Sequence, residues 1–300
     1  MKIELSAVVP VFNEGPDVAR FIQLLAQCLS RHTASFEIVV VDDGSTDQSI
    51  EAVLAVAAQC RVRVLRLSRN FGKESALSAG LHVARGDAAV LIDGDFQHPP
   101  EVIEDFVRLW RGGAHMVIGV RSGRATDSPV RRLLSSAFYR VFNWLANVRL
   151  EQGAGDFRLL DRKVITALNA LPERRRFMKG LYSWVGFRTE RVTYTVGPRA
   201  FGASKWSLRS LSRFALQGLI SFSERPLSLL AYLGFAFAIP ALGYGGVILV
   251  EALFSGNPVP GWPTIVTAVM FFGGMNLVAL SLIGRYVGEL FLEVKGRPAF

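Results

Sequence analysis

Cysteine is scarce in this chain, with two in 300 residues, Cys28 and Cys60. Neither has a partner at metal-ligand spacing. That excludes a thiolate metal site and points to core thiols in a reducing compartment. Glycine motifs for phosphate are missing too. No G-x-G-x-x-G follows the first apolar segment, and there is no G-x-x-x-x-G-K-[ST], so a dinucleotide fingerprint and a P-loop are both disfavoured. No basic run interleaves with aromatics, which makes nucleic acid a poor match for the net charge of +9. Phosphorylated small molecules or an acidic membrane face suit that charge better. The first residues, MKIELSAVVPVFNE, lack a signal-peptide pattern because Glu4 interrupts a short apolar run, so the chain is expected to start in the cytosol.

Charge is absent from two long stretches, Leu227–Val250 and Trp262–Ile283. At about 1.5 Å per residue each is long enough to cross about 30 Å of hydrocarbon. Half of all residues are hydrophobic, which also suggests a membrane portion. The expectation is two C-terminal transmembrane helices. Arg225 precedes them, Arg285, Lys295 and Arg297 follow, and the link Ser255–Gly261 has no Lys or Arg. The positive-inside rule then puts both termini in the cytoplasm. The expected organisation is a cytosolic domain over 1–225, a membrane hairpin over 226–286 and a tail over 287–300.

What is present is alternation. Apolar, β-rich segments at Leu5–Phe12, Phe36–Val41, Val62–Leu67 and Ala88–Ile92 are separated by helical patterns. This predicts an α/β fold with a doubly wound, mostly parallel sheet and ligands at the carboxyl ends of its strands. Polar clusters stand at those ends each time: Asn13 and Glu14, Asp42 and Asp43, Arg69 and Asn70, Asp93 and Asp95. Two carboxylates one residue apart, with Gln97 as a further oxygen donor, suit Mg²⁺ or Mn²⁺ sharing its shell with substrate phosphates. A phosphate-bearing substrate and a metal together imply group transfer from a nucleotide.

Further on, Met116–Val120 reads as a strand ending at Arg121. The segment Arg131–Asn147 is amphipathic, either a surface helix or a helix lying in a membrane interface. Gly153-Ala154-Gly155 presents Asp156 in what reads as a glycine-rich turn. Arg174–Arg176 reads equally as a solvated run or a lipid-headgroup contact. Thr189–Val196 alternates as a strand. Arg199, Ser204 and Lys205 fall in a polar loop before a second amphipathic segment, Ser207–Ser223.

Seven segments in this order carry a resemblance: PVFNE (Pro10–Glu14), VDDGSTD (Val41–Asp47), SRNFGKE (Ser68–Glu74), DGDFQHPPE (Asp93–Glu101), GVRSGR (Gly119–Arg124), GAGDFRLLDR (Gly153–Arg162) and GASKW (Gly202–Trp206). Over about residues 3–225 the chain resembles glycosyltransferase family 2 with a GT-A, Rossmann-like fold. More narrowly it is similar to the polyprenyl-phosphate glycosyltransferases, among them bactoprenol glucosyltransferases and relatives of dolichyl-phosphate mannose synthase. The resemblance implies a hexosyltransferase moving glucose from UDP-glucose to undecaprenyl phosphate at the cytoplasmic face of a bacterial inner membrane. Mannose, N-acetylglucosamine or an amino-arabinose derivative are alternative sugars. By that similarity Pro10, Asn13, Glu14 and Asp42 would hold the nucleoside. Asp93, Asp95 and Gln97 would bind the metal and diphosphate, with Asp95 and Asp156 as the catalytic pair. Arg121 and Arg132, with Arg131 competing for the latter role, would hold the lipid phosphate. Arg199, Ser204 and Lys205 would close over the diphosphate. Membrane lipids and other copies of the chain, as a tetramer, are the implied partners. His98 replaces an acid of the commoner pattern and is expected behind the ligands or at the surface. A non-catalytic nucleotide-sugar binding protein is the reading from another class.

Overall fold

The computed structural model describes residues 2–122, 139–146, 148–151, 153–174, 176–195 and 261–298 as continuous runs, with 136, 300 and scattered positions between 222 and 247. Arg131, Arg132, Arg199, Ser204 and Lys205, expected to hold lipid phosphate or close over the diphosphate, lie outside the described residues.

The chain divides into two compact units. The first comprises residues 1–144, 148–218 and 298–300, the second residues 145–147 and 219–297. The first unit opens with β1 (Leu5–Val11), α1 (Val18–His32), β2 (Phe36–Asp42), α2 (Ser49–Ala57), β3 (Val62–Arg66), α3 (Lys73–Val83) and β4 (Ala88–Leu91). These strands pair in parallel, β3 with β2, β2 with β1, and β1 with β4. β2 is buried at every position, and β1 at all but Pro10. Strands covered on both faces read as unbroken apolar runs, which is why the sequence shows them so clearly. Pro10 is tolerated in a central strand because β1 pairs with β4 only as far as Val8 opposite Leu91, so its missing N–H faces no ladder acceptor on that side.

Helix α1 packs through Val18, Phe21, Ile22, Leu25 and Leu29, all essentially inaccessible. Their helical spacing makes one apolar stripe, and each such burial contributes about 1.5–3 kcal/mol. Helix α3 lies directly on the sheet at Gly80, where a Cβ would overlap Val8 Cγ1 and lie 3.0 Å from Val41 Cγ2. Both thiols are buried, as expected for core cysteines.

After β4 come α4 (Ile103–Arg111), β5 (Met116–Arg121), β6 (Ala154–Asp161), α5 (Arg162–Ala170), α6 (Met178–Trp184) and β7 (Thr189–Tyr194). The sheet has seven strands in the order β3-β2-β1-β4-β6-β5-β7. β6 runs antiparallel to both β4 and β5, whereas β7 is parallel to β5. The sheet is therefore mixed. Asp156 sits within strand β6 rather than in a turn.

In the second unit, α7 (Trp262–Val294) is 33 residues long. Among the described residues no helix is long and apolar enough to cross a membrane. This overturns the expectation of two transmembrane helices and, with it, of a two-span inner-membrane protein. A charge-free stretch is a property of sequence alone. In the structure the second one is part of a longer helix that also carries Arg285, Glu289 and Glu293. The first, Leu227–Val250, is described only at scattered positions. The apolar residues behind the expectation include Val269, Leu277, Val278 and Leu280 of α7, all more than half exposed.

Candidate active site

The site is built at the carboxyl ends of β1, β2 and β4 and the amino end of β6. After β1 the chain turns through Asn13 in the left-handed region, φ 50°. The Asn13 N–H donates to Ser45 Oγ at 3.0 Å, and the Thr46 N–H donates to Asn13 Oδ1 at 2.9 Å. The N–H groups of Glu14 and Gly15 donate to Ser49 Oγ and Asp47 Oδ2. These bonds clasp the loops after β1 and β2 into one rim. Four residues expected to hold a nucleoside, Pro10, Asn13, Glu14 and Asp42, thus lie on or under that rim. Asp42 is fully buried, accepting the Ser45 N–H at 2.8 Å, with Arg66 Nε 3.2 Å from its other oxygen.

Asp43 takes a task the sequence did not reveal. Its carboxylate accepts the N–H groups of Phe71 and Gly72, at 2.7 and 2.9 Å, and so ties down the loop that delivers α3. Gly44 makes this approach possible. It has φ 77°, and a Cβ there would lie 2.6 Å from the Arg69 carbonyl carbon. Burial raises the Asp43 pKa against the two amides that lower it.

The central geometry follows from the register of β4 and β6. Ala88 pairs with Asp161 and Leu91 with Arg158. Two residues beyond that ladder, the same register sets Asp93 opposite Asp156. Like charges facing across a strand pair repel. Lys73, the first residue of α3, answers this. Its ammonium lies 2.8 Å from Asp93 and 2.8 Å from Asp156 Oδ2. Burial works to raise the pKa of each carboxylate, but Lys73, joined by His98 at Asp93 and by Lys179 at Asp156, outweighs it and both are held below the usual range. Burial works to lower the Lys73 pKa, and the two aspartates reverse it, so the lysine stays charged. Asp156 Oδ1 is buried and has no hydrogen-bond partner among the described residues.

Asp95 Oδ1 accepts the Gln97 N–H at 3.1 Å. The turn between them puts Phe96 at φ 61°, with its ring edge-on to Phe21 at 5.3 Å. Positive φ in a bulky residue is costly and persists only where packing enforces it. His98 is buried, not at the surface. Its Nε2 lies 3.5 Å from Asp93 Oδ2, and its Nδ1 shares a 2.7 Å hydrogen bond with the Tyr194 hydroxyl. With a proton on Nε2 the imidazole donates toward Asp93, and Nδ1 is left to accept from the Tyr194 hydroxyl. Burial raises the Tyr194 pKa against the nearby Arg121 charge. Arg121 at the end of β5 and Asp93 at the end of β4 thus both act on the Tyr194–His98 pair.

Glu74 follows Lys73 and accepts the Met178 N–H at 2.8 Å. Burial, and then the Asp156 charge, push its pKa up to about 7. Lys73, Glu74 and Tyr194 were not singled out in the sequence, and Asp43 stood there only as part of a polar strand end. The signal for the first two was available, since SRNFGKE follows the β3 strand end like every other polar cluster.

The Glycosyl transferase family 2 pattern matches residues 6–166. The chain is 39% identical over 301 residues to an uncharacterized glycosyltransferase of Synechocystis sp., covering all of this chain and 95% of that one. The chain belongs to glycosyl transferase family 2. Within that family it is also 39% identical over 299 residues to the bactoprenol glucosyl transferase of Shigella phage SfII, covering 99% of this chain and 97% of that one. Among solved structures, the Mycobacterium tuberculosis glucosyl-3-phosphoglycerate synthase, crystallised with Mn²⁺, UDP and phosphoglyceric acid, aligns with a TM-score of 0.52. Its identity is 21%, over 73% of this chain and 76% of that one. That likeness supports the GT-A fold alone. The family makes the chain a glycosyltransferase.

Proposed function

We propose that this glycosyltransferase moves glucose from UDP-glucose to a polyprenyl phosphate, undecaprenyl phosphate in particular. The observation that carries the reading is end-to-end similarity to a bactoprenol glucosyl transferase. The geometry is consistent with it. A nucleoside has the rim of Asn13, Glu14 and the residues over Asp42. The diphosphate has the end of β4.

The donor set fits a divalent cation. Asp93 and Asp95 are hard oxygen ligands, and the Lys73 ammonium already lies where the carboxylates call for positive charge. Among the described residues no cluster of three acidic, His or Cys side chains forms a protein-only metal set. That suits Mg²⁺ or Mn²⁺, which complete their shells with substrate phosphate and water. Asp93, Asp95 and Gln97 would hold the ion, which supplies charge stabilisation for the departing diphosphate.

In the transfer, a phosphate oxygen of the acceptor forms a bond to the sugar's anomeric carbon as the bond to the UDP oxygen breaks. The acceptor is a monoester with a second pKa near 6, so at neutral pH it is largely a dianion. It needs little help from a base. Catalysis rests on alignment and on neutralising the leaving group. Asp156, fixed by Lys73 across from Asp93, orients the acceptor or the sugar hydroxyls. Arg121, at the end of β5, offers positive charge for the incoming phosphate.

The test is direct. Purified protein is given radiolabelled UDP-glucose, undecaprenyl phosphate and Mg²⁺ or Mn²⁺, and label is followed into organic extract. Label in the lipid with UDP released supports the reading. No transfer from UDP-glucose, with transfer from another nucleotide sugar, would reassign the donor.

A further inference from the structure

Alternate residues of a strand share a face, so Ala154, Asp156 and Arg158 of β6 point the same way. Asp156 serves the site at the strand ends. Arg158 and Ala154 also help to line a cavity of about 160 Å³ between β5, β6 and α6. Arg149, Lys179, Tyr182, Ser183 and Arg191 also line it.

Two donors in this cavity lack acceptors. Arg158 and Tyr182 are each only 3% exposed, and among the described residues Arg158 Nε and the Tyr182 hydroxyl have no hydrogen-bond partner. The rest of the guanidinium is held in place. Nη2 donates to the Gly155 carbonyl at 2.5 Å, Nη1 faces Met116 Sδ at 3.7 Å, and the group lies over the Tyr182 ring at 3.7 Å. Buried polar groups are almost always paired. Two unpaired donors on one wall point to a missing acceptor.

The charge says what kind. Among the described residues no carboxylate is within ion-pair distance of Arg149, Arg158 or Lys179. Glu151, the acid on the cavity wall, is taken by Arg191 at 2.5 Å. The fields of Asp156 and Glu74 reach Arg158 without contact. Burial keeps Tyr182 a neutral phenol, hence a donor. Met116, Ile118 and Leu150 form an apolar part of the wall, suited to carbon attached to the anion.

We infer that this cavity is an anion site that takes a phosphate monoester, held by Arg158, Lys179, Arg149 and the Tyr182 hydroxyl. Free phosphate and the phosphate of a prenyl chain share this chemistry. The assignment does not depend on the glucosyl-transfer reading.

The full-length protein is titrated with inorganic phosphate and, separately, with farnesyl phosphate. Metal and nucleotide are absent, ionic strength is constant, and heat is the readout. The variants are Tyr182→Phe, which keeps the ring over Arg158, and the double change Arg149→Ala with Lys179→Ala. Saturable binding is expected, weakened about tenfold or more in the double variant and severalfold in Tyr182→Phe, the scale of charge-assisted and neutral hydrogen bonds. UDP should not compete. Tighter binding of farnesyl phosphate identifies a lipid-borne phosphate, and equal binding identifies free phosphate. Absence of saturable binding by either probe, binding unchanged in the variants, or displacement by UDP would overturn the site. Loss of glucosyl transfer in the separate labelled assay, with phosphate still bound, would count against the glucosyl reading alone.

Discussion

Lys73 decides most of what happens at the level of single residues. It holds two carboxylates that the sheet register sets against each other. Lys73→Met keeps the length and removes the charge. Turnover should fall by about 10²–10³, the usual cost of one electrostatic stabiliser. Stability should drop by about 1–3 kcal/mol, less than for a fully buried pair because the lysine is about one-third exposed. Steady-state kinetics and denaturant melts read the two effects separately. Asp156→Asn tests the role given to its neighbour. An orienting carboxylate predicts a rate loss of similar size at every pH. A loss rescued at high pH would falsify that role and make Asp156 a base.

Glu74 gives a third residue-scale expectation. Its pKa rises from 4.5 to about 7 on folding. Between those values the folded protein binds more protons than the unfolded chain, so stability falls as pH rises through the window. Glu74→Gln keeps an acceptor for the Met178 N–H but removes the charge. Wild type should lose about 2 kcal/mol relative to this variant between pH 5 and pH 8, at about 1.4 kcal/mol per unit with allowance for Lys73 and Lys179 nearby. Parallel melting curves across pH in the two proteins would show no divergence if Glu74 were ionised throughout.

At the scale of elements, contacts between helix and sheet set the tolerances. Gly80→Ala would drive a methyl into Val8. A cost of about 1–3 kcal/mol is expected from overpacking, measurable by urea denaturation, despite the better helix propensity of alanine. The parallel strands and their helices were legible in the sequence because burial on both faces leaves an unmistakable apolar run. β6 was not. Gly153 just before it, Gly155 within it and the isolated Asp156 resemble a turn, and strand character there comes from pairing with β4 and β5, residues distant in sequence. The polar strand ends foretold where the site would lie. They could not show that Asp93 and Asp156 meet through an antiparallel register, or that Lys73 stands between them. His98 was legible as a departure from pattern, yet its burial depends on Phe157 and Tyr194 packing around it.

For the whole molecule, the most instructive failure concerns the charge-free stretches. Hydropathy counted along the chain suggested spans, whereas the structure merges the second stretch with a charged segment in one long helix. The candidate metal site makes a complementary whole-molecule prediction. Asp93 and Asp156 are already held together by the Lys73 ammonium, so folding does not require a divalent ion. Chelation with EDTA should abolish transfer while leaving the circular dichroism spectrum and melting temperature nearly unchanged. A fall of many degrees would show the ion to be structural instead.

The lysine bridge also bears on the order in which substrates can arrive. While Lys73 spans Asp93 and Asp156, both carboxylates are engaged. A donor arriving with a cation at Asp93 would release half of that grip and leave Lys73 to position Asp156 alone for the acceptor. Initial-rate patterns should therefore be sequential with the nucleotide sugar adding first, and the empty enzyme should be idle toward water.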